Sequence, residues 1–339
     1  MPSGAQSVAP IFIVGSPRSG TTLLRQILDR HPALAICGET HFQALVYVRR
    51  KAFGELSDPR NRQRLIDEYL ATRHAKLIGL DTPELAERLS REATSYKAMF
   101  TSILTYYADS QGKPRYGEKT PRHALFLGTL CEWFPNAVIL HMVRDPRAAV
   151  ASLQREPWAP GSVVLNARRW LKLNQAARKS REHPGYLEVR YEDLVTEPAG
   201  ELSKICSFLD EEYAPSMLVP REDQTTVSES MRRSRTAITS SRLELWRKEL
   251  TAAQVAQIEW VAGSGLEIFG YKRSASQASA LTVVRGVTCA ALEAARFVGA
   301  RLPSFWYSFG TPAKIAKYEE WTGPRTWRKD PKGASREGA

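Results

Sequence analysis

Near the amino terminus, apolar positions follow two rhythms. An unbroken run of β-formers, Ile11 to Val14, stops at Gly15, as a strand buried on both faces does. From Thr21, the residues Leu23, Leu24, Ile27 and Leu28 recur at helical spacing until His31-Pro32 ends the pattern. A short strand is predicted over 33–37, and residues 42–109 carry mainly helical periodicity with few glycines. Residues 116–120 lead into a turn at Pro121. A further apolar strand spans 136–143, with Asp145 as a helix N-cap and Pro146 at the first helical position. Another strand follows at 187–191 and a helix at 197–210, and helical periodicity returns over 243–266. Strands and helices alternating at this length predict an α/β fold, a parallel sheet flanked by helices on both faces. Such sheets bind nucleotides at the carboxyl ends of their strands.

Composition narrows the picture little. The 339-residue chain is 43% hydrophobic and 25% charged, the balance of a soluble globular protein. Cys37, Cys131, Cys206 and Cys289 are widely spaced with no CxxC pair, so neither a metal site nor a disulfide framework is expected. A reducing, cytoplasmic setting is the expectation. No signal peptide or membrane span is expected: the best apolar stretch, 280–300, is interrupted by Arg285, Glu293 and Arg296.

Charge divides the chain more sharply. Residues 272–339 hold twelve Lys/Arg against five Asp/Glu, a net +7 of the chain's +12. The expected organisation is a main domain over 1–271, closed by Phe269-Gly-Tyr271, and a basic, mostly helical extension over 272–339. That extension carries a semi-apolar helix near 281–301 and aromatics at Phe305, Trp306, Tyr307, Trp321 and Trp327. It reads either as a solvated tail or as a surface for a homodimer contact or an acidic partner.

The chemistry concentrates after the first strand. Gly15 and Gly20 bound a turn between strand and helix, a geometry that aims backbone N–H groups and the positive helix end at a phosphate. The spacing is that of a P-loop, but Thr21 stands where the lysine belongs, and the cation is Arg18 within the turn. A P-loop kinase would need that lysine and a Mg²⁺-binding acid. A non-catalytic nucleotide-binding interaction module is the other alternative.

Pro17-Arg-Ser-Gly-Thr-Thr22 resembles the 5′-phosphosulfate loop of sulfotransferases that use 3′-phosphoadenosine-5′-phosphosulfate, PAPS. The second motif of that family, a strand followed by Arg and, eight residues on, Ser, appears at Arg144 and Ser152. The resemblance covers roughly residues 10–271 and is to the branch containing tyrosylprotein sulfotransferases and their bacterial relatives. It implies the sulfotransferase fold and transfer of a sulfuryl group from PAPS, leaving PAP, with no metal. The hydroxyl acceptor would be a carbohydrate, a peptidyl tyrosine or a small molecule, and no nucleic-acid partner is implied.

Carried over residue by residue, the resemblance gives Arg18, Ser19, Gly20, Thr21 and Thr22 to the 5′ end, with Arg18 neutralising the leaving group. Arg144 and Ser152 take the 3′-phosphate, and Lys119, in Gly117-Glu-Lys-Thr-Pro121, the bridging oxygen. Glu39 matches the general base. The family often has a second glutamate after it, whereas this chain continues Thr40-His41, so His41 competes for the role. Tyr191 borders the nucleotide, its ring facing either adenine or the core. Residues 220–242 are polar and arginine-rich and read as a mobile loop; its part at 232–242, with Trp246, lies where relatives cover the cofactor.

Overall fold

The computed structural model describes residues 9–156, 159–219 and 239–274, with isolated positions as far as 291. Strands β1 (Ile11–Gly15), β2 (Leu34–Cys37), β3 (Arg115–Lys119), β4 (Val138–Val143) and β5 (Tyr186–Arg190) form one parallel sheet in the order β2-β3-β1-β4-β5. Register pairs Cys37 with Glu118, Ile13 with Lys119, Gly15 with Met142, and Val143 with Arg190. All five carboxyl ends therefore meet along one edge. The chain runs out to β2 and β3 on one side of β1, then crosses to β4 and β5 on the other. This reversal beside β1 is where open α/β sheets form their ligand crevice.

Every residue of β1 is fully buried, because helices cover both faces. Phe12 and Val14 face the side of α2 (Tyr96–Ser110), with Phe12 stacked on Phe100 at 6.1 Å between ring centroids. Ile11 and Ile13 face α1 (Thr21–Leu28), meeting Leu24 and Ile27 in one cluster. Beyond β4 come α3 (Pro146–Gln154) and α4 (Val163–Arg178). After β5 follow α5 (Tyr191–Thr196), α6 (Pro198–Phe208) and α7 (Ala252–Ala262).

Three departures from the expected elements have local causes. Helix α1 stops at Leu28, short of His31. The Asp29 carboxylate accepts from Arg25 Nη2 at 3.2 Å and from the Ile36 N–H at 2.8 Å, turning the chain toward β2. The periodicity over 243–266 does not give one helix: α7 starts afresh at a Thr251–Gln254 capping box and ends at Gly263, where φ is +49°. Helix α4, at 16 residues, was not foreseen from its pattern, because its buried face mixes Trp170, Leu173 and Ala177 with Asn166 and Asn174.

Packed contacts continue past Tyr271, with the Ser274 N–H donating to Glu259 Oε1 at 2.9 Å. Apart from the isolated positions, the extension beyond Ser274 lies outside the described residues, as do Arg232, Arg233 and Arg235. Among the described residues no helix is long and apolar enough to cross a membrane.

A buried polar knot ties the end of β2 to β3. Glu118, 1% exposed, accepts from Thr40 Oγ1 at 2.6 Å and from Thr120 Oγ1 at 3.0 Å, and pairs with His123. Burial alone would raise this carboxyl, but the His123 ring and the two hydroxyls outweigh it and hold it below the usual carboxylate range. The knot fixes the backbone just after Glu39, where the Phe42 N–H donates to Thr40 Oγ1 at 3.2 Å.

Two measurements test these constraints. A Cβ at Gly15, whose φ is +145°, would sit 2.3 Å from the Met142 carbonyl oxygen on β4. Gly15→Ala should cost about 3 kcal/mol in urea unfolding, while Gly128→Ala, in open space on a helix, should be neutral or stabilising. Equal midpoints for the two variants would refute the close approach. Glu118, with its folded pKa depressed, contributes stability that is complete above roughly pH 5 and lost as pH falls through the folded value. The unfolding free-energy gap between wild type and Glu118→Gln should therefore shrink toward acid. A gap that widens there would mean that Glu118 is protonated in the folded protein.

Candidate active site

Every expected site residue except Ser152, which lies inside α3, sits at or just past a strand's carboxyl end. The turn after β1 carries Arg18, Ser19, Gly20, Thr21 and Thr22. Gly20, at φ +92°, opens α1 with no side-chain cap and no acid in the first turn. The first N–H groups of that helix therefore face the crevice without a local acceptor. Gly20 is also sterically required, since a Cβ there would lie 2.4 Å from Tyr191 Cδ2. Ser19 Oγ is buried with no partner among the described residues.

The loop is tied to the second motif. Arg18 Nε donates to Ser152 Oγ on α3 at 3.0 Å, and its Nη1 lies 3.2 Å from Glu156 Oε1. Arg144, one residue past β4, donates from Nη1 to the Arg18 carbonyl at 3.1 Å and from Nη2 to the Arg242 carbonyl at 3.3 Å. Its guanidinium lies over the Tyr191 ring at 4.1 Å, and its buried Nε is unpaired among the described residues. Tyr191 is thus a wedge between Gly20 and Arg144, packed in the core. The Arg144 carbonyl accepts from Trp170 Nε1 at 2.9 Å, which anchors the strand end to α4.

Four cations meet here. Burial lowers the Arg18 pKa first; the Glu156 carboxylate raises it, and Arg144, Arg155 and Arg242 lower it further. Arg147 is engaged elsewhere. It binds Asp145 and Glu259 and lies over the Trp246 ring at 4.5 Å, so Trp246 is a buried core residue.

On the other side of β1, Lys119 ends β3 as a buried ammonium, 2% exposed. Its Nζ donates to Thr22 Oγ1 at 3.1 Å and pairs with Glu39 Oε1. Glu39 Oε2 lies 3.0 Å from His41 Nε2. Burial would raise the Glu39 carboxyl, but the Lys119 charge and His41 hold it well below the usual carboxylate range. The His41 ring packs on His74 at 4.1 Å between centroids. Burial, then His41, pulls His74 down to about 3, so it is neutral. Arg169 on α4 is held at about 10, chiefly by burial and then by Arg122, with Glu39 opposing.

The structure therefore brings together every site residue expected from sequence, in two groups joined through Thr22. His74, Arg122 and Arg169 were missed. They come from a short helix, the 3₁₀ helix Pro121–Phe126 and the unforeseen α4, and no local motif marks them.

The profile of the Sulfotransferase family matches residues 10–215. Nodulation protein NoeE of Sinorhizobium fredii is 26% identical over 314 residues, covering 81% of this chain and 70% of that protein. Protein-tyrosine sulfotransferase A of Caenorhabditis elegans is 30% identical over 208 residues, 59% of this chain and 49% of that protein. The sulfotransferase domain of the Synechococcus olefin synthase superposes with a TM-score of 0.57 at 24% identity, over 80% of this chain and 98% of that one. With the family profile spanning more than half its length, the chain belongs to the sulfotransferase family and is a sulfotransferase enzyme.

Proposed function

We propose that this sulfotransferase takes its sulfuryl group from PAPS and passes it to a hydroxyl acceptor, with Glu39 as general base. The observation that carries the reading is the buried Lys119 ammonium, which bridges Thr22 of the phosphate loop and the Glu39 carboxylate. A donor subsite and a base joined by one cation suit in-line transfer between them.

The residues fit a bisphosphorylated nucleotide. Ser19 Oγ and Arg144 Nε are buried donors without partners among the described residues, and the start of α1 is uncapped. Arg144 and Arg242 add positive field at Arg18, whose carboxylate partner is Glu156, and such an excess of guanidinium charge favours a polyanion. In this reading the α1 N–H groups, Ser19, Thr21 and Thr22 hold the 5′ end, Arg18 neutralises the leaving group, and Arg144 with Ser152 holds the 3′-phosphate. Tyr191 supports Arg144 from beneath. PAPS, when bound, supplies an activated sulfuryl group; the protein supplies position and charge.

Lys119 also governs the base. Paired with the ammonium, Glu39 is a weak base, and an anion in the loop competes for that same cation. As Lys119 turns to the donor, Glu39 is freed to accept the proton from the acceptor hydroxyl. The glutamate thus gains basicity when a donor is present. The acceptor class is a carbohydrate, peptidyl tyrosine or small-molecule hydroxyl. The cysteine usage favours the cytoplasm, and residues 272–339 serve as an accessory extension for self-association or an acidic surface.

Two substitutions separate the halves of the site. Arg144→Ala should weaken PAP binding by about 2–4 kcal/mol in calorimetry, through lost charge-assisted bonds to a desolvated phosphate. Affinity for adenosine 5′-phosphosulfate, which lacks the 3′-phosphate, should hardly change, and equal losses for both ligands would remove Arg144 from the 3′ subsite. Glu39→Gln should slow single-turnover transfer by about 10²–10⁴ while leaving PAP affinity nearly intact. Near-normal rates in that variant would show the base to be misassigned.

A further inference from the structure

The Glu39 carboxylate is held from two sides, and the second side has no part in the donor site. Oε1 belongs to Lys119, while Oε2 faces His41 Nε2 at 3.0 Å. His41 is held to this geometry. Its backbone is left-handed at φ +50°, uncommon for a residue with a side chain, and its carbonyl accepts from Ala44 and Leu45 at 3.0 and 2.9 Å. One face of its ring rests on His74.

The charges around this pair are mostly of one sign. Lys119 comes from β3 and Arg73 and His74 from the neighbouring short helix. Arg169 comes from α4 and feels Glu39, while Arg122, after β3, acts on Arg169. Glu39 is the acid among them. His74 stays neutral, so the stacked rings hold at most the one charge that His41 takes. A neutral His41 can donate Nε2–H and fix the carboxylate without adding to the field. A protonated His41 adds a second full positive charge beside Glu39, next to Lys119, and makes it a poorer base.

We propose that His41 is a positioning residue for Glu39, orienting the carboxylate when neutral and switching it off when protonated. The inference rests on Glu39 being the base. During transfer the acceptor O–H bond breaks and its proton goes to Glu39. The acceptor oxygen bonds to sulfur, and the bond from sulfur to the phosphate oxygen breaks. His41 gains and loses no atom in that step. Its own protonation, at Nδ1 from solvent, sets how well Glu39 performs it. The acidic limb of the rate profile then belongs to a histidine, not to the carboxylate.

Imidazole ¹⁵N spectra of the full chain saturated with PAP test this without turnover. His41 should show the Nε2–H tautomer when neutral, and Glu39→Gln should move its midpoint down, since the carboxylate favours the charged ring. His74 should stay neutral throughout. A midpoint unmoved by Glu39→Gln, or an Nδ1–H tautomer, would overturn the proposal. A second arm follows single-turnover release of labelled sulfate from PAPS to water between pH 5.5 and 8.5. Wild type should fall about tenfold toward acid, whereas His41→Gln, which still donates but cannot charge, should run flat. PAP titration of that variant confirms an intact donor site. A retained acidic limb in His41→Gln defeats this inference alone, while wild-type rates in Glu39→Gln defeat the base assignment beneath it.

Discussion

Parallel pairing is the constraint on which the rest depends. Five parallel strands must all end on the same edge, and their hydrogen-bonded register leaves no freedom to spread those ends apart. Gly15 pairs with Met142, so Arg144 emerges two residues beyond the level at which the Gly15–Gly20 turn begins. Ile13 pairs with Lys119 and Cys37 with Glu118, so Lys119 and Glu39 emerge beside that loop from the other direction. Residues 80 to 134 apart in sequence thereby come into hydrogen-bonding distance. The loop contributes the rest: bounded by two glycines at positive φ, it approaches β4 and Tyr191 more closely than any side chain would allow.

Burying a lysine is expensive, which limits what Lys119 can be for. Removing an ammonium from water costs several kcal/mol unless its protons find acceptors in good geometry. Here Thr22 and Glu39 provide them, one from each half of the site. The pair gives little net stability by this argument, so its retention makes more sense as positioning. The buried Glu118 knot has the complementary role. It also sinks charge into the core, but its acceptors and donors are matched within the protein, so it is rigid where the Lys119 pair can be redistributed.

The proposed donor side of the site was legible from sequence, because it lies within contiguous motifs that begin where hydrophobic runs stop. β1, β4, the Gly15–Gly20 turn and the Asp145-Pro146 helix start all carry local signals. So do Arg18, Arg144 and Ser152, whose spacing survives as geometry. The acceptor side was only half legible. β3 reads Arg-Tyr-Gly-Glu-Lys, with too few apolar residues to announce a central strand, because its charged members are neutralised by partners elsewhere in the chain. Helix α4 hides its buried stripe behind Asn166 and Asn174, although Asn174 Oδ1 meets His141 Nε2 at 2.9 Å and Asn166 Nδ2 donates to the Pro160 carbonyl at 2.9 Å. Sequence periodicity registers apolar character, not whether a polar group will find a partner.

Thr40, where the resembled family often has a second glutamate, has a partner that explains it. Successive residues leaving a strand point to opposite sides, and here Thr40 turns inward to Glu118 while Glu39 and His41 meet on the crevice side. A carboxylate at position 40 would face the buried Glu118 across a hydrogen-bond distance and would need a further cation to be tolerated. Threonine instead donates to Glu118 and accepts from the Phe42 N–H at 3.2 Å, satisfying the knot with a neutral group. Losing a second acid there therefore leaves Glu39 with its full set of crevice-side partners. What distinguishes this site is the next residue, where an imidazole in a left-handed turn stands against the carboxylate.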